Sequence, residues 1–297
     1  MNGQKRSPAI GIILMLVCAV LWSTAGLFIK SVPWDSMVLV GWRGLVATAT
    51  LYALMRAMHY RVRIDKRTVL IGLCVSCTSI LYVIANRLTT TANAVVFQYT
   101  SPVFLVVLSF LIFRKRYRVA DYITVAVTLC GIAIFFFDQL EFKSMLGNIL
   151  ALIDGVTMGC VYLFTGESDE ERRLSGILIG LALTTVAGLP FTFVHPPQVT
   201  GASVVAVIAM GVLQLALPYA LYSIAVKHCP PLACVLVGSL EIILAPIWVW
   251  LSPLHEAPGM WALIGSVVVV VTITVWCCFG GAKELPKQVG AAKDGAK

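Results

Sequence analysis

Leu81–Val96 reads LYVIANRLTTTANAVV, and 140 positions later Leu221–Leu236 reads LYSIAVKHCPPLACVL. Leu, Tyr, Ile and Ala coincide, and Arg87 is answered by Lys227. A second pair stands at a similar spacing: Gly11-x-x-Leu14 leading to Leu27-Phe28 matches Gly147-x-x-Leu150 leading to Leu163-Phe164, 136 positions on. Two pairs at nearly one spacing divide the 297-residue chain into halves that repeat one another.

The material being repeated is apolar. The chain is 59% hydrophobic and 12% charged, against roughly 25% charged residues in an ordinary soluble domain. About 20 apolar helical residues cover the ~30 Å hydrocarbon core of a bilayer. Ten spans of that kind are predicted, at 8–30, 36–55, 68–88, 91–113, 119–137, 144–166, 174–194, 201–226, 230–252 and 258–279. The expected class is therefore an all-α polytopic membrane protein. Lys5-Arg6 flanks the first span as in a secretory signal, but that span has the length of a membrane helix and nine more follow, so it is expected to be retained.

Basic residues in short loops stay on the cytoplasmic side. With the N-terminus inside, eighteen fall there: Lys5, Arg6; Arg56, Arg61, Arg63, Lys66, Arg67; Arg114, Lys115, Arg116, Arg118; Arg172, Arg173; Lys227; Lys283, Lys287, Lys293 and Lys297. Only Lys30, Arg87 and Lys143 fall outside. Both termini are thus predicted cytoplasmic, and the +8 net charge is a signal of orientation that requires no nucleic-acid partner. Tyr82 lies in the third span and Tyr222 in the eighth, an odd number apart, so the two copies run in opposite directions. Such inverted five-helix repeats mark secondary transporters, in which two opposed halves exchange shapes about a central site.

At this point the chain resembles a family. VLWSTAGLFIK in the first span, Arg43 within WRGLVATATL, TTTANAVVFQYTSPVFLVVLSFLIFRKR around the fourth, and PPLACVLVGSLEIILAPIWVWLSPLHEAPGMWALIGS leading into the tenth are similar to the two EamA-type halves of the drug/metabolite transporter superfamily, over about residues 8–280. The resemblance implies a first repeat at 1–143, a second, inverted one at 144–282 and a cytoplasmic tail at 283–297. It also implies a central cavity and export of small metabolites such as amino acids across a bacterial inner membrane. Two departures stand out. Arg116 takes the place of an acidic residue after the fourth helix, while Glu256 keeps it in the second half. The usual Glu-Pro pair of the ninth helix reads Glu241-Ile242, with Pro246 about a turn away.

Ionisable groups inside hydrocarbon are costly and turn toward a cavity or a partner. Arg43, Asp154 and Glu241 are of this kind, the two acids near the midplane and Arg43 in the outer half. If Arg43 pairs with one acid, the other must bind a proton or a cationic group of the substrate. The competing reading is that Arg43 fastens the second helix to a neighbour while the acids are satisfied by backbone or hydroxyl donors. Gln214, Pro218 and Tyr222 share one helical face, and their counterparts are Cys74, Thr78 and Tyr82. Gln98 and Ser101 share another, and Ser101 is the counterpart of Glu241, whose face includes Gly238 and Ala245. Trp22, Tyr99, Tyr162 and Trp248 are further candidates for the wall, while Trp34 and Trp261 read as interfacial anchors. Pro102, Pro190, Pro218 and Pro246 are expected to interrupt their helices, and Pro102, Pro218 and Pro246 are the candidate hinges.

The remaining features point elsewhere less well. Cys74-x-x-Cys77 has redox spacing but lies within a helix, the nine cysteines are dispersed through apolar segments, and Cys277-Cys278 is a weak acylation site. His195, His228 and His255 lie in short loops, where a solvated or capping role outweighs metal binding. No His-Glu-x-x-His set, nucleophile with base, or nucleotide-binding P-loop is present, so neither an intramembrane enzyme nor an ATP-driven pump is expected. GESDEERR, Gly166–Arg173, reads as a solvated turn. The expected partners are a small-molecule substrate, membrane lipids and protons as the candidate coupling ion, with no cofactor or metal. A quaternary ammonium such as choline, held in an aromatic cage, is the alternative substrate, and a non-transporting scaffold or receptor is the distant alternative. The sequence does not set an oligomeric state.

Overall fold

Asp35 and Asp65 each start a long apolar helix by accepting hydrogen bonds from N–H groups that a first turn leaves open. Asp35 accepts from Met37 and Val38; Asp65 accepts from Arg67 and Thr68 while the Thr68 hydroxyl accepts from the Asp65 N–H. Thr200 and Ser203 make a second reciprocal cap. The computed structural model describes residues 7–89, 91–135, 137, 144–244, 248, 260–279, 281 and 287–288.

The first half runs α1 (Pro8–Ser23), α2 (Ala25–Ser31), α3 (Ser36–Ala57), α4 (Lys66–Leu88), α5 (Thr91–Gln98), α6 (Ser101–Phe113) and α7 (Val119–Phe135). The second runs α8 (Met145–Gly166), α9 (Glu170–Gly188), α10 (Phe191–Val194), α11 (Gly201–Ala209), α12 (Leu217–His228), α13 (Pro231–Gly238) and α14 (Met260–Cys278). A π-helical stretch, Met210–Ala216, joins α11 to α12 without a break. Among the described residues, extended structure is limited to Lys115–Arg116 paired antiparallel with Lys287–Gln288.

Six stretches are long and apolar enough to cross a membrane: Ser36–Ala57, Lys66–Leu88, Ala94–Phe113, Met145–Gly166, Glu170–Val194 and Gly201–His228. Pro8–Ser23, Val119–Ile134, Pro231–Leu244 and Ile264–Cys278 are shorter apolar helices, which brings the described set to ten. The chain is a polytopic α-helical membrane protein.

Several expected spans are not single helices. The first breaks at Thr24, the fourth at Tyr99–Thr100, and the seventh starts earlier, at Glu170, and breaks at Leu189–Pro190. Pro102 lies in the first turn of α6, where its missing N–H leaves no bond unmade. Pro218 does not interrupt its helix as expected. The chain stays helical there because the preceding π stretch absorbs the lost hydrogen bond and the ring's clash with the turn before it. Pro246 lies outside the described residues.

Packing brings distant spans together. α4 packs on α8 and α9, α3 on α9 and the π stretch, α1 on α12 and α13, α6 on α8, and α7 on α14. The α3–α9 crossing is backbone to backbone: a Cβ on Gly188 would sit 2.4 Å from the Gly41 nitrogen, so only small residues allow this approach. Trp34 is buried and donates from Nε1 to the Gln198 carbonyl at 2.8 Å, so it serves packing in place of the interfacial anchoring expected of it. His228 ends α12, and its Nδ1 accepts from the Ser7 N–H at 3.4 Å near the start of α1.

Candidate functional site

The interrupted and widened helices surround a central cavity containing about 720 Å³ of non-atom space, its open mouth included. α1 and α2 contribute Trp22 and Ala25, α3 contributes Arg43, α4 contributes Thr78, Ser79 and Tyr82, and α5 contributes Gln98. From the second half come Met158, Val161 and Tyr162 on α8, Gln214 and Leu215 on the π stretch, Tyr219 and Tyr222 on α12, and Glu241.

Arg43 is 2% exposed and donates from Nη2 to the Ser79 carbonyl at 3.0 Å and the Ser79 hydroxyl at 2.9 Å. It therefore ties α3 to α4, while its Nε lacks a hydrogen-bond partner. Asp154 does not line the cavity. It is 1% exposed behind the wall made by Gln98 and Thr78, within electrostatic reach of Arg43. Gln98, Thr157 and Thr78 face its carboxyl group, yet neither carboxyl oxygen has a well-formed hydrogen bond, and the Thr78 and Thr157 hydroxyls instead bond each other at 2.7 Å. Glu241 does line the cavity, and the Tyr99 hydroxyl stands beside it while donating to the Gly238 carbonyl at 3.3 Å.

Five rings, Trp22, Tyr82, Tyr162, Tyr219 and Tyr222, stand in the remaining wall. Trp22 meets Tyr219 edge-on at 6.2 Å between centroids, and Tyr162 meets Tyr222 edge-on at 5.3 Å. The Tyr222 hydroxyl is bonded to the Thr165 hydroxyl, so its ring faces the cavity but its polar end does not. Gln214 donates from Nε2 to the Thr24 hydroxyl at 3.1 Å and leaves its Oε1 unpartnered; the Gln98 Oε1 is likewise unpartnered. Two expected wall residues, Tyr99 and Ser101, are fully buried at the break between α5 and α6 and stand outside the lining. Trp248 donates to the Ser23 hydroxyl at 2.7 Å, bracing the break after α1.

Among the polar and aromatic groups, the sequence reading passed over Ser79, Tyr219 and Arg173. Ser79 holds Arg43, and Tyr219 shares a helical face with Leu215 and Tyr222; the i, i+4, i+7 spacing of these three was legible, but the widened helix brings Gln214 to the cavity as well. Arg173 was assigned to a solvated turn, yet it is 4% exposed. The rest of that turn is bound up in ion pairs: Glu171 with Arg63 at 2.6 Å, Arg172 with Asp65 at 2.8 Å and Asp169 at 2.9 Å, Glu170 with Lys227, and Glu167 with Lys115.

Residues 9–137 match the EamA-like transporter family, the segment that supplies α1 to α7. The match covers 129 of the 297 residues and marks the first half of the chain as similar to that family. A search of curated proteins returns no match. A solved crystal structure of a protein is similar to 94% of this chain and to all of its own, with a TM-score of 0.76 at 18% identity. That likeness concerns the fold alone, and it extends over both halves of this chain.

Proposed function

We propose that this protein is a transporter that works by alternating access of the central cavity, exporting small zwitterionic or neutral metabolites, amino acids foremost, across a bacterial inner membrane. The observation that carries the reading is the cavity wall: one cation, Arg43, and one acid, Glu241, among five aromatic rings and a few polar and aliphatic groups, with a second acid, Asp154, set behind Gln98. A zwitterion offers a partner to each sign, and the surplus acid remains for a coupling proton.

Two inverted repeats, at 1–143 and 144–282, are part of this proposal. They are supported by the breaks after Gln98 and after Gly238, which fall 140 positions apart, the spacing of the LYVIAN and LYSIAV segments. The packing supports them as well, since α1 on α12 corresponds to α8 on α4, and α13 on α1 to α5 on α8. Glu241 or Asp154 would carry the coupling charge; Gln98, Gln214 and Thr78 would hold polar groups, with Trp22, Tyr82, Tyr162 and Tyr222 around the apolar part. The edge-on ring pairs favour one second reading, a quaternary ammonium such as choline.

The test is the thermal stability of the purified protein against neutral and aromatic amino acids beside choline and other quaternary amines, followed by flux in proteoliposomes. A ligand that binds only the folded state raises stability with occupancy. Stabilisation and counterflow by an amino acid are expected. A response to quaternary amines alone overturns the amino-acid assignment.

A further inference from the structure

Arg173 carries a charge into the protein interior beside the cavity, and no function assigned so far uses it. Its guanidinium donates Nε to the Thr165 carbonyl at 2.9 Å, Nη2 to the Ser168 carbonyl at 2.8 Å and Nη1 to the Ser223 carbonyl at 2.6 Å. The first two acceptors belong to the C-terminal end of α8, where backbone carbonyls are left open and the helix dipole favours a cation. The third belongs to α12. One rigid fork of donors therefore ties the C-terminal end of α8 to the middle of α12. These are the helices whose Tyr162 and Tyr222 meet at the cavity wall.

The connection to the cavity is short. Thr165 accepts from Arg173 through its carbonyl and bonds the Tyr222 hydroxyl through its own hydroxyl. A ligand that displaces the Tyr222 ring thus pulls on the residue that Arg173 grips.

An equivalent contact exists in the other half. Arg87, at the end of α4, donates from Nη2 to the carbonyls of Ile29 at 2.8 Å and Val32 at 2.7 Å, at the C-terminal end of α2. Ile29 and Val32 precede Thr165 and Ser168 by 136 positions each, the spacing of Gly11 to Gly147. Two arginines from unrelated places in the chain hold the same pair of carbonyls in the two halves. In each half the helices joined are the same, the first and third of the unit.

Resting on the reading of the fold as two opposed halves, we propose that Arg173 is the clasp that closes the cavity on the Gly166–Arg173 side of the membrane and that Arg87 is its counterpart at the other end. Opening one clasp while the other holds gives the substrate access from one side at a time. Arg173 acts as a positioning residue: it touches no substrate and controls which side reaches it.

Native thiols report the state of the clasp without any substrate. Cys234 is fully buried within electrostatic reach of Arg173, its sulfur 3.4 Å from that of Cys229, whereas Cys278 is exposed and serves as the internal standard. The experiment is alkylation of the full chain in membranes with N-ethylmaleimide, read peptide by peptide by mass spectrometry. Arg173→Gln is expected to raise Cys234 alkylation about tenfold relative to Cys278, as loss of charged hydrogen bonds shifts the open population. Arg87→Gln, which removes an exposed side chain and leaves the buried end untouched, is expected to lower it below wild type, and Arg173→Lys to give an intermediate rate. Arg87→Gln keeps the test decisive if Arg173→Gln fails to fold. A Cys234 rate unmoved by Arg173→Gln, or one that moves in the same direction in both variants, overturns the clasp and leaves two helix caps. Because no ligand is added, that result is independent of whether the amino-acid assignment stands.

Discussion

Ser101 and Glu241 occupy equivalent places: each begins the helical turn that follows a two-residue break, Tyr99–Thr100 in one half and Ser239–Leu240 in the other. A break of this kind frees backbone groups at membrane depth, which is tolerated where the chain borders a cavity or is buried in protein. Only the second half places an acid there, and that acid lines the cavity. Glu241→Gln is expected to abolish transport driven by a pH gradient while substrate exchange continues. Proteoliposomes with and without an imposed gradient make the comparison, and undiminished driven transport removes Glu241 from coupling.

Asp154 presents two carboxyl oxygens without a well-formed hydrogen bond at 1% exposure. A buried ionised carboxylate without donors is costly, and removing the charge from a true buried ion pair costs about 3–5 kcal/mol. Asp154→Asn, equal in shape and uncharged, is expected to leave the melting temperature near that of wild type. A large fall would instead identify an ion pair with Arg43.

Tyr82 and Tyr222 both line the cavity. Tyr82→Ala and Tyr222→Ala are expected to weaken transport comparably, seen as raised KM in a flux assay. Tyr222→Phe keeps the ring and loses only the bond to Thr165, so a stability loss of about 1 kcal/mol is expected with substrate affinity largely retained. Normal kinetics in both alanine variants would assign the rings to packing.

Gly41 and Gly188 let α3 and α9 touch along their backbones. Gly188→Ala inserts a methyl group where backbone already stands, and the expected cost is about 1–3 kcal/mol, measured by thermal unfolding in detergent. An unchanged melting temperature would mean that the two helices separate freely.

Asp65 caps α4 from outside the span, and its carboxyl is held below the usual value chiefly by the Thr68 N–H and then by Arg172. A folded-state value below the unfolded one contributes stability above the ordinary aspartate range of about 3.9, and that contribution is lost as pH falls through the folded value. Asp65→Asn is expected to flatten this acid limb of the stability profile. A profile identical to wild type would show that the cap carries no titrating contribution.

Much of the architecture was legible in the sequence. Hydrophobic span length follows from composition alone, since each helix satisfies its own backbone in lipid. Arg43, Gln98, Gln214, Glu241 and the pair Tyr82 and Tyr222 were also singled out, because polar and charged groups are rare in such helices. Tertiary structure decided the rest. Tyr99 and Ser101, at the break between α5 and α6, are buried outside the lining; Asp154 lies at the right depth but behind Gln98 and Thr78. Arg173 follows Asp169, Glu170 and Glu171 and reads as a solvated charge, yet the carbonyl of Ser223, fifty residues away, helps to take it inside. Composition governs whether a helix enters the membrane, but the face it turns to the cavity depends on local winding and on partners far along the chain, which only packing brings together.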